Sequence, residues 1–232
     1  MVTIGAILGY KRFCSTQVKQ NKRISMKTAI LALGAAMPLM AGTYTEPANP
    51  YSIELGVGYN FAARDIVKVD DYSSPKVDTL GIDLTGVYTV SDNSSFNLRF
   101  GFATGSDDQH YADLLKADVR VNNFFLMPGY RYTHRMGEYV SGFIGANIGV
   151  INESIKLKLT ADNITERYHG SEYGFAYSAE AGLRYMISRH FDVFLAYQFF
   201  GSTAEPGFDN VSGSSTRSQL YHSVRAGVSF DF

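Results

Sequence analysis

Nine ionisable residues, Glu54, Asp83, Arg99, Arg131, Glu180, Arg184, Asp192, Arg225 and Asp231, lie inside stretches of alternating polarity, each on the parity opposite the apolar residues. If that shared parity brings them into one interior, cations and carboxylates meet there. Removing one partner of a buried ion pair costs about 3–5 kcal/mol, which favours mutual neutralisation. Counted from the nearer chain turns, Asp83, Glu180 and Arg225 fall at one depth and Glu54, Arg99 and Arg184 in a layer closer to the turns. The expected chemistry is electrostatic: a salt-bridged plug built on Glu54, Asp83, Arg99, Arg131, Glu180, Arg184 and Arg225. A gated path for ions or small solutes through the same charges is the alternative.

Acid–base and nucleophilic chemistry find weaker footing. His134 and His190 fall in short turns, and His110 and His169 in longer connections near Asp107, Asp108 and Glu172. His222 adjoins Ser223, but neighbours in a strand point to opposite faces and cannot pair as base and nucleophile. No catalytic residue is expected, and a lipid-modifying enzyme is the least favoured reading. Neither Asp70 with Asp71 nor Asp107 with Asp108 has the spaced carboxylates and glycine of a calcium loop. The lone Cys14 provides no thiolate cluster. Neither metal nor cofactor is expected.

The elements that must position the charges follow from period-two patterning. From Tyr51, the residues Tyr51, Ile53, Leu55, Val57, Tyr59 and Phe61 alternate with Ser52, Glu54, Gly56, Gly58 and Asn60, as in a strand with one apolar face. Seven further segments repeat the pattern, among them Leu80 to Val90, Phe96 to Phe102, Phe124 to Tyr132, Val140 to Val150, Tyr173 to Tyr185, Phe191 to Phe199 and Leu220 to Phe232. A tilted strand of about 9–11 residues crosses a bilayer. Tight turns at Ser91 to Ser94, His134 to Glu138 and Ser188 to His190 alternate with long connections over 63–77, 104–122, 152–172 and 201–218. This is the plan of a transmembrane barrel, with short turns at the inner face and longer loops outside.

The opposite parity is dominated by Gly, Ala, Ser, Thr and Asn. A soluble sandwich would cover its outer face with Lys, Glu and Asp. The apolar parity therefore faces hydrocarbon, and closure of the sheet satisfies every strand's backbone. Aromatics mark both boundaries: Tyr51, Tyr88, Phe96, Tyr132, Tyr139, Tyr185, Phe191, Phe230 and Phe232 near the short turns, and Tyr59, Phe61, Phe102, Phe124, Tyr173 and Phe175 toward the long ones. The fold expected is all-β: an eight-stranded antiparallel up-and-down transmembrane β-barrel over residues 51–232.

The first 42 residues differ in kind. They hold six of the 21 Lys and Arg residues and no acid, leaving 15 cations against 22 acids, a net charge of −7, in the remainder. Nucleic acid is excluded as a partner on that balance. Within residues 26–42, Lys27, an apolar run from Ala29 to Leu39, and the small residues Ala41 and Gly42 have the order of a secretory signal peptide. Residues 1–25 precede this complete signal and read as a mis-assigned start, and residues 43–50 as a short periplasmic N-terminal segment.

The eight segments, the tight-turn plan and the closing run Val224, Ala226, Val228, Phe230 and Phe232 resemble the OmpA/OmpX-type, opacity-type outer-membrane β-barrel family. The resemblance implies an integral protein of the bacterial outer membrane, surrounded by outer-membrane lipid and lipopolysaccharide. It also implies that the closing run is the assembly signal read by the barrel-assembly machinery. The implied role is structural or surface-interacting, through long extracellular loops that meet an extracellular ligand or host surface. A peptidoglycan-binding domain like that of larger family members is not expected.

Overall fold

The computed structural model describes residues 50–63, 76–111, 115–161, 164–207, 216 and 218–232. The signal region 1–42, most of segment 43–50, and Asp70 and Asp71 lie outside the described residues. Eight strands run in chain order: β1 (Tyr51–Ala62), β2 (Thr79–Ser91), β3 (Ser94–Tyr111), β4 (Leu115–Arg135), β5 (Val140–Ala161), β6 (Ile164–Ser188), β7 (Phe191–Ser202) and β8 (Leu220–Asp231). Each pairs antiparallel with its neighbour, and β8 returns to β1 from Ser52 opposite Asp231 to Ala62 opposite Tyr221. From the short turns up to Thr104 of β3 and Ala176 of β6 the sheet is a closed barrel without an edge, the arrangement that leaves no ladder group facing lipid.

The alternation translates directly into burial. Along β1, Ser52, Glu54, Gly56 and Gly58 are buried while Tyr51, Ile53, Leu55, Val57 and Tyr59 are exposed, and the other strands repeat this inside-out pattern. Leu55, Leu84 and Phe100 sit side by side on β1, β2 and β3, each at least half exposed on the outer wall. Aromatic pairs ring both ends. Tyr51–Tyr88, Phe96–Tyr130 and Phe191–Phe230 have centroids 5.3, 5.7 and 5.1 Å apart near the short turns. Tyr59–Phe61 and Phe102–Phe124, at 4.8 and 4.6 Å, stand near the other end.

Inward aromatics fit because inward glycines face them across the ladder. Gly101 is opposite Phe125, Gly182 opposite Phe143 and Gly227 opposite Phe194. A Cβ at Gly182 would lie 2.6 Å from the Phe143 ring, and one at Gly227 would lie 2.5 Å from the Phe194 ring. The missing side chains are the space the rings occupy.

Two of the long connections read from the sequence are strands instead. Most of 104–122 and 152–172 continues β3, β4, β5 and β6 in unbroken register, with Ser106 opposite Arg120, Arg120 opposite Lys156 and Lys156 opposite His169. The physical reason is an inversion of polarity. Below, the outer face is apolar; above Phe124 the outward residues become Asn122, Arg120, Asp118 and Lys116, while Val121, Val119 and Ala117 turn inward and are buried. The strands go on, but where lipid gives way to water the apolar residues change sides. Val77, from the connection between β1 and β2, packs against Val119, Val121 and Ile155 on that inner face.

Candidate functional site

Seven of the eight strands, all but β5, contribute a charged residue to the middle and lower lumen. Glu180 on β6 is the hub: it accepts from Arg99 Nη2 at 2.5 Å, Arg131 Nη2 at 3.0 Å and Arg225 Nη1 at 3.2 Å. Arg131 also reaches Glu54 with both terminal nitrogens, at 2.5 and 3.0 Å. Such a two-point fit is the strongest geometry a guanidinium and a carboxylate can adopt. Arg225 grips Asp83 through Nε at 2.8 Å and through Nη2, and Arg99 Nε lies 3.8 Å from the same carboxylate. Nearer the short turns, Arg184 binds Glu54 and stands 3.4 Å from Asp192. Four guanidiniums thus meet four carboxylates, and the long arginine side chains merge the two depths read from the sequence into one network.

Aromatic faces complete the network. The Arg131 guanidinium lies 4.7 Å from the Phe143 ring centre and that of Arg225 lies 5.1 Å from Phe194. Arg99, Arg131, Arg225 and Glu54 are fully buried. Above them lies a cavity of about 30 Å³, bordered by Asn60, Thr79, Asn123 and Ser223. Phe200, Tyr221, Met127 and Ile151 pack together above it with Phe125. Higher still, the buried Glu153 accepts a hydrogen bond from the Ser202 hydroxyl at 2.5 Å.

Among the charges singled out in the sequence, Asp192 joins the network through Arg184, whereas Asp231 forms no ion pair among the described residues. Glu153 was missed, because a reading of 152–172 as a loop removes it from the lumen; continuing the odd-numbered parity of β5 by two residues from Ile151 reaches it. The closing run lies along β8. Val224, Phe230 and Phe232 are exposed on the outer wall, and the Phe232 amide donates to the Tyr51 carbonyl at 2.8 Å.

Among the described residues, the histidines do not converge. His134 and His190 sit at the short-turn end, and His169 is exposed on β6. His222 faces outward, its Nδ1 2.5 Å from the Tyr197 hydroxyl, while Ser223 is buried inside. His110 belongs to β3, with its side chain outside the described residues. Asp107 and Asp108 are consecutive on β3 and point to opposite faces, and Asp108 meets Lys116 at 3.3 Å. On the projecting part of β6, the Tyr168 hydroxyl donates to the Glu166 carboxylate, and that bond holds the phenol above its ordinary pKa.

Residues 29–232 match the model of the outer membrane protein beta-barrel domain. The chain belongs to that family. As a member of the outer membrane beta-barrel family, it is an integral protein of the bacterial outer membrane. Its fold is similar to Neisserial surface protein A, at 10% identity and a TM-score of 0.49, over 81% of this chain and 100% of that one. It is also similar to Ail of Yersinia pestis, at 18% and 0.43 over 78% and 98%. OprG of Pseudomonas aeruginosa aligns at 16% and 0.48 over 80% and 96%. No curated protein sequence matches the chain.

Proposed function

We propose that this family member is a closed barrel with a structural and surface-interaction role, its exposed strands and connections serving an extracellular ligand or host surface. The observation that carries the reading is the lumen. Any solute passing through must displace Arg99, Arg131 and Arg225 from Glu54, Asp83 and Glu180, and then pass the layer of Phe125, Phe200 and Tyr221. Breaking one such buried pair costs about 3–5 kcal/mol, before the packed aromatic layer is disturbed. An eight-stranded barrel is just wide enough for its own side chains to fill.

What projects beyond the membrane is the sheet of β3 to β6, above the row of Phe102, Phe124 and Tyr173. Function on such scaffolds concentrates in the segments held outside. In this reading residues 26–42 direct export, residues 43–50 stay on the periplasmic side, and Val224, Ala226, Val228, Phe230 and Phe232 are what the assembly machinery reads. The reading assigns no catalytic residue, metal or cofactor.

Planar-bilayer recording from the folded protein tests the closed lumen. The expected record has no stable, large-conductance openings; a persistent channel of uniform conductance would establish the porin alternative.

A further inference from the structure

The projecting sheet carries a second charge arrangement that the lumen does not explain. On its outer face, continuing the lipid-facing parity, the ladder places Arg120, Lys156 and His169 in one row. The next row outward holds Asp108, Asp118, Lys158 and Arg167, and Lys116 follows one row beyond. Five Lys and Arg residues therefore meet two carboxylates on one exposed face. Among the described residues, only Lys116 of the five is ion-paired, to Asp108 at 3.3 Å. Arg120, Lys156, Lys158 and Arg167 border a single open depression, into which Asp118 also faces. These four cations contrast with the lumen arginines, each of which has a carboxylate partner.

Position identifies what they meet. The row Phe102, Phe124, Asn152 and Tyr173 is followed by Thr104, Asn122, Ser154 and Ser171, and then by the first basic row. Four residues at about 3.4 Å each, in strands tilted by about 40°, put that row roughly 10 Å above the aromatics, and the next roughly 16 Å above. Apolar wall, hydroxyl and amide band, then cations is the order met on leaving acyl chains, crossing sugars and reaching phosphates.

We infer that the outer wall of β4, β5 and β6, through Arg120, Lys156, Lys158 and Arg167, binds the phosphate groups of lipopolysaccharide in the surrounding outer leaflet. One molecule can lay its acyl chains on Leu126, Val150 and Phe175 while its phosphates meet the cations above. Both contacts belong to one ligand, which raises the effective concentration of the second once the first is made. A free anion has only the charges, exposed to screening salt. The inference deepens the reading of a lipid-embedded surface protein and rests on its outward orientation of the apolar parity.

The test uses the folded barrel in detergent micelles with purified short-chain lipopolysaccharide as the probe. Binding is followed by native mass spectrometry, beside the same lipid stripped of its phosphates. The combined variant Arg120→Ser, Lys156→Ser, Lys158→Ser and Arg167→Ser is expected to bind at least tenfold more weakly. Phosphate removal should weaken binding to the wild-type protein to a similar degree, and Lys156→Arg with Lys158→Arg should retain it. Heat-modifiable migration on unboiled gels checks folding; single substitutions, each expected to weaken binding two- to threefold, serve if the combined variant does not fold. Unchanged binding by the folded variants, equal binding of the phosphate-free lipid, or displacement by inorganic phosphate at comparable concentrations would overturn the inference. So would tighter binding of a soluble sulfated polysaccharide to the same residues. Quenching of an outer-wall tryptophan by chain-brominated lipid separates the two levels: it persists if only this inference fails and vanishes if the orientation is wrong.

Discussion

Glu180→Ala is expected to lower the unfolding free energy of the inserted barrel by about 3–5 kcal/mol, the cost of leaving buried charge without its partner. The effect is large because Glu180 serves three guanidiniums, from β3, β4 and β8. With it gone, Arg131 keeps Glu54 and Arg225 keeps Asp83, but Arg99 retains only the 3.8 Å contact to Asp83. Removing that stranded cation should restore stability, so Arg99→Met combined with Glu180→Met is expected to recover more than half of the loss. Denaturant unfolding in lipid vesicles, monitored by heat-modifiable migration, gives both numbers. A loss below about 1 kcal/mol for Glu180→Ala, in the range of an exposed ion pair, would mean that the network is hydrated and the lumen open.

Leu84→Arg is expected to cost about 2–4 kcal/mol, the penalty for a cation on the lipid face near the bilayer midplane. Leu84 lies between Leu55 and Phe100 on the outer wall and is 50% exposed. A substitution that exposed on a water-facing wall changes stability by no more than about 0.5 kcal/mol, so the size of the effect reports what surrounds the barrel. Asn122→Arg, beyond the aromatic row on β4, should cost about 0–1 kcal/mol. The same unfolding titration distinguishes the two positions.

Which parity of each membrane-spanning strand faces outward was legible from period two, because a one-residue slip would turn a strand's whole outward set, such as Ile53, Leu55 and Val57 of β1, into the lumen beside Glu54's partners. Strand ends were not. The apolar residues of β4 change sides above Phe124, from Leu126 and Phe124 outside to Val121 and Val119 inside. A search for one continuous apolar face stops there and sees a loop. The basic face containing Arg120, Lys156, Lys158 and Arg167 was hidden for the same reason, since in a loop those residues have no common side. That the lumen charges share an interior could be read from parity. Their pairing could not, because Glu180 meets arginines from three other strands across the lumen, and only Arg99, Arg131 and Arg225 in place show how far each side chain reaches.

The chain contains no tryptophan, so a single Leu84→Trp variant reports its surroundings without background. Folded into vesicles whose acyl chains carry bromine near the midplane, this tryptophan should be strongly quenched. A tryptophan at Gly137, in the turn between β4 and β5, should keep its full emission. Equal emission from the two positions, or a folded protein that stays in solution without lipid or detergent, would contradict the assignment of the apolar parity to the membrane.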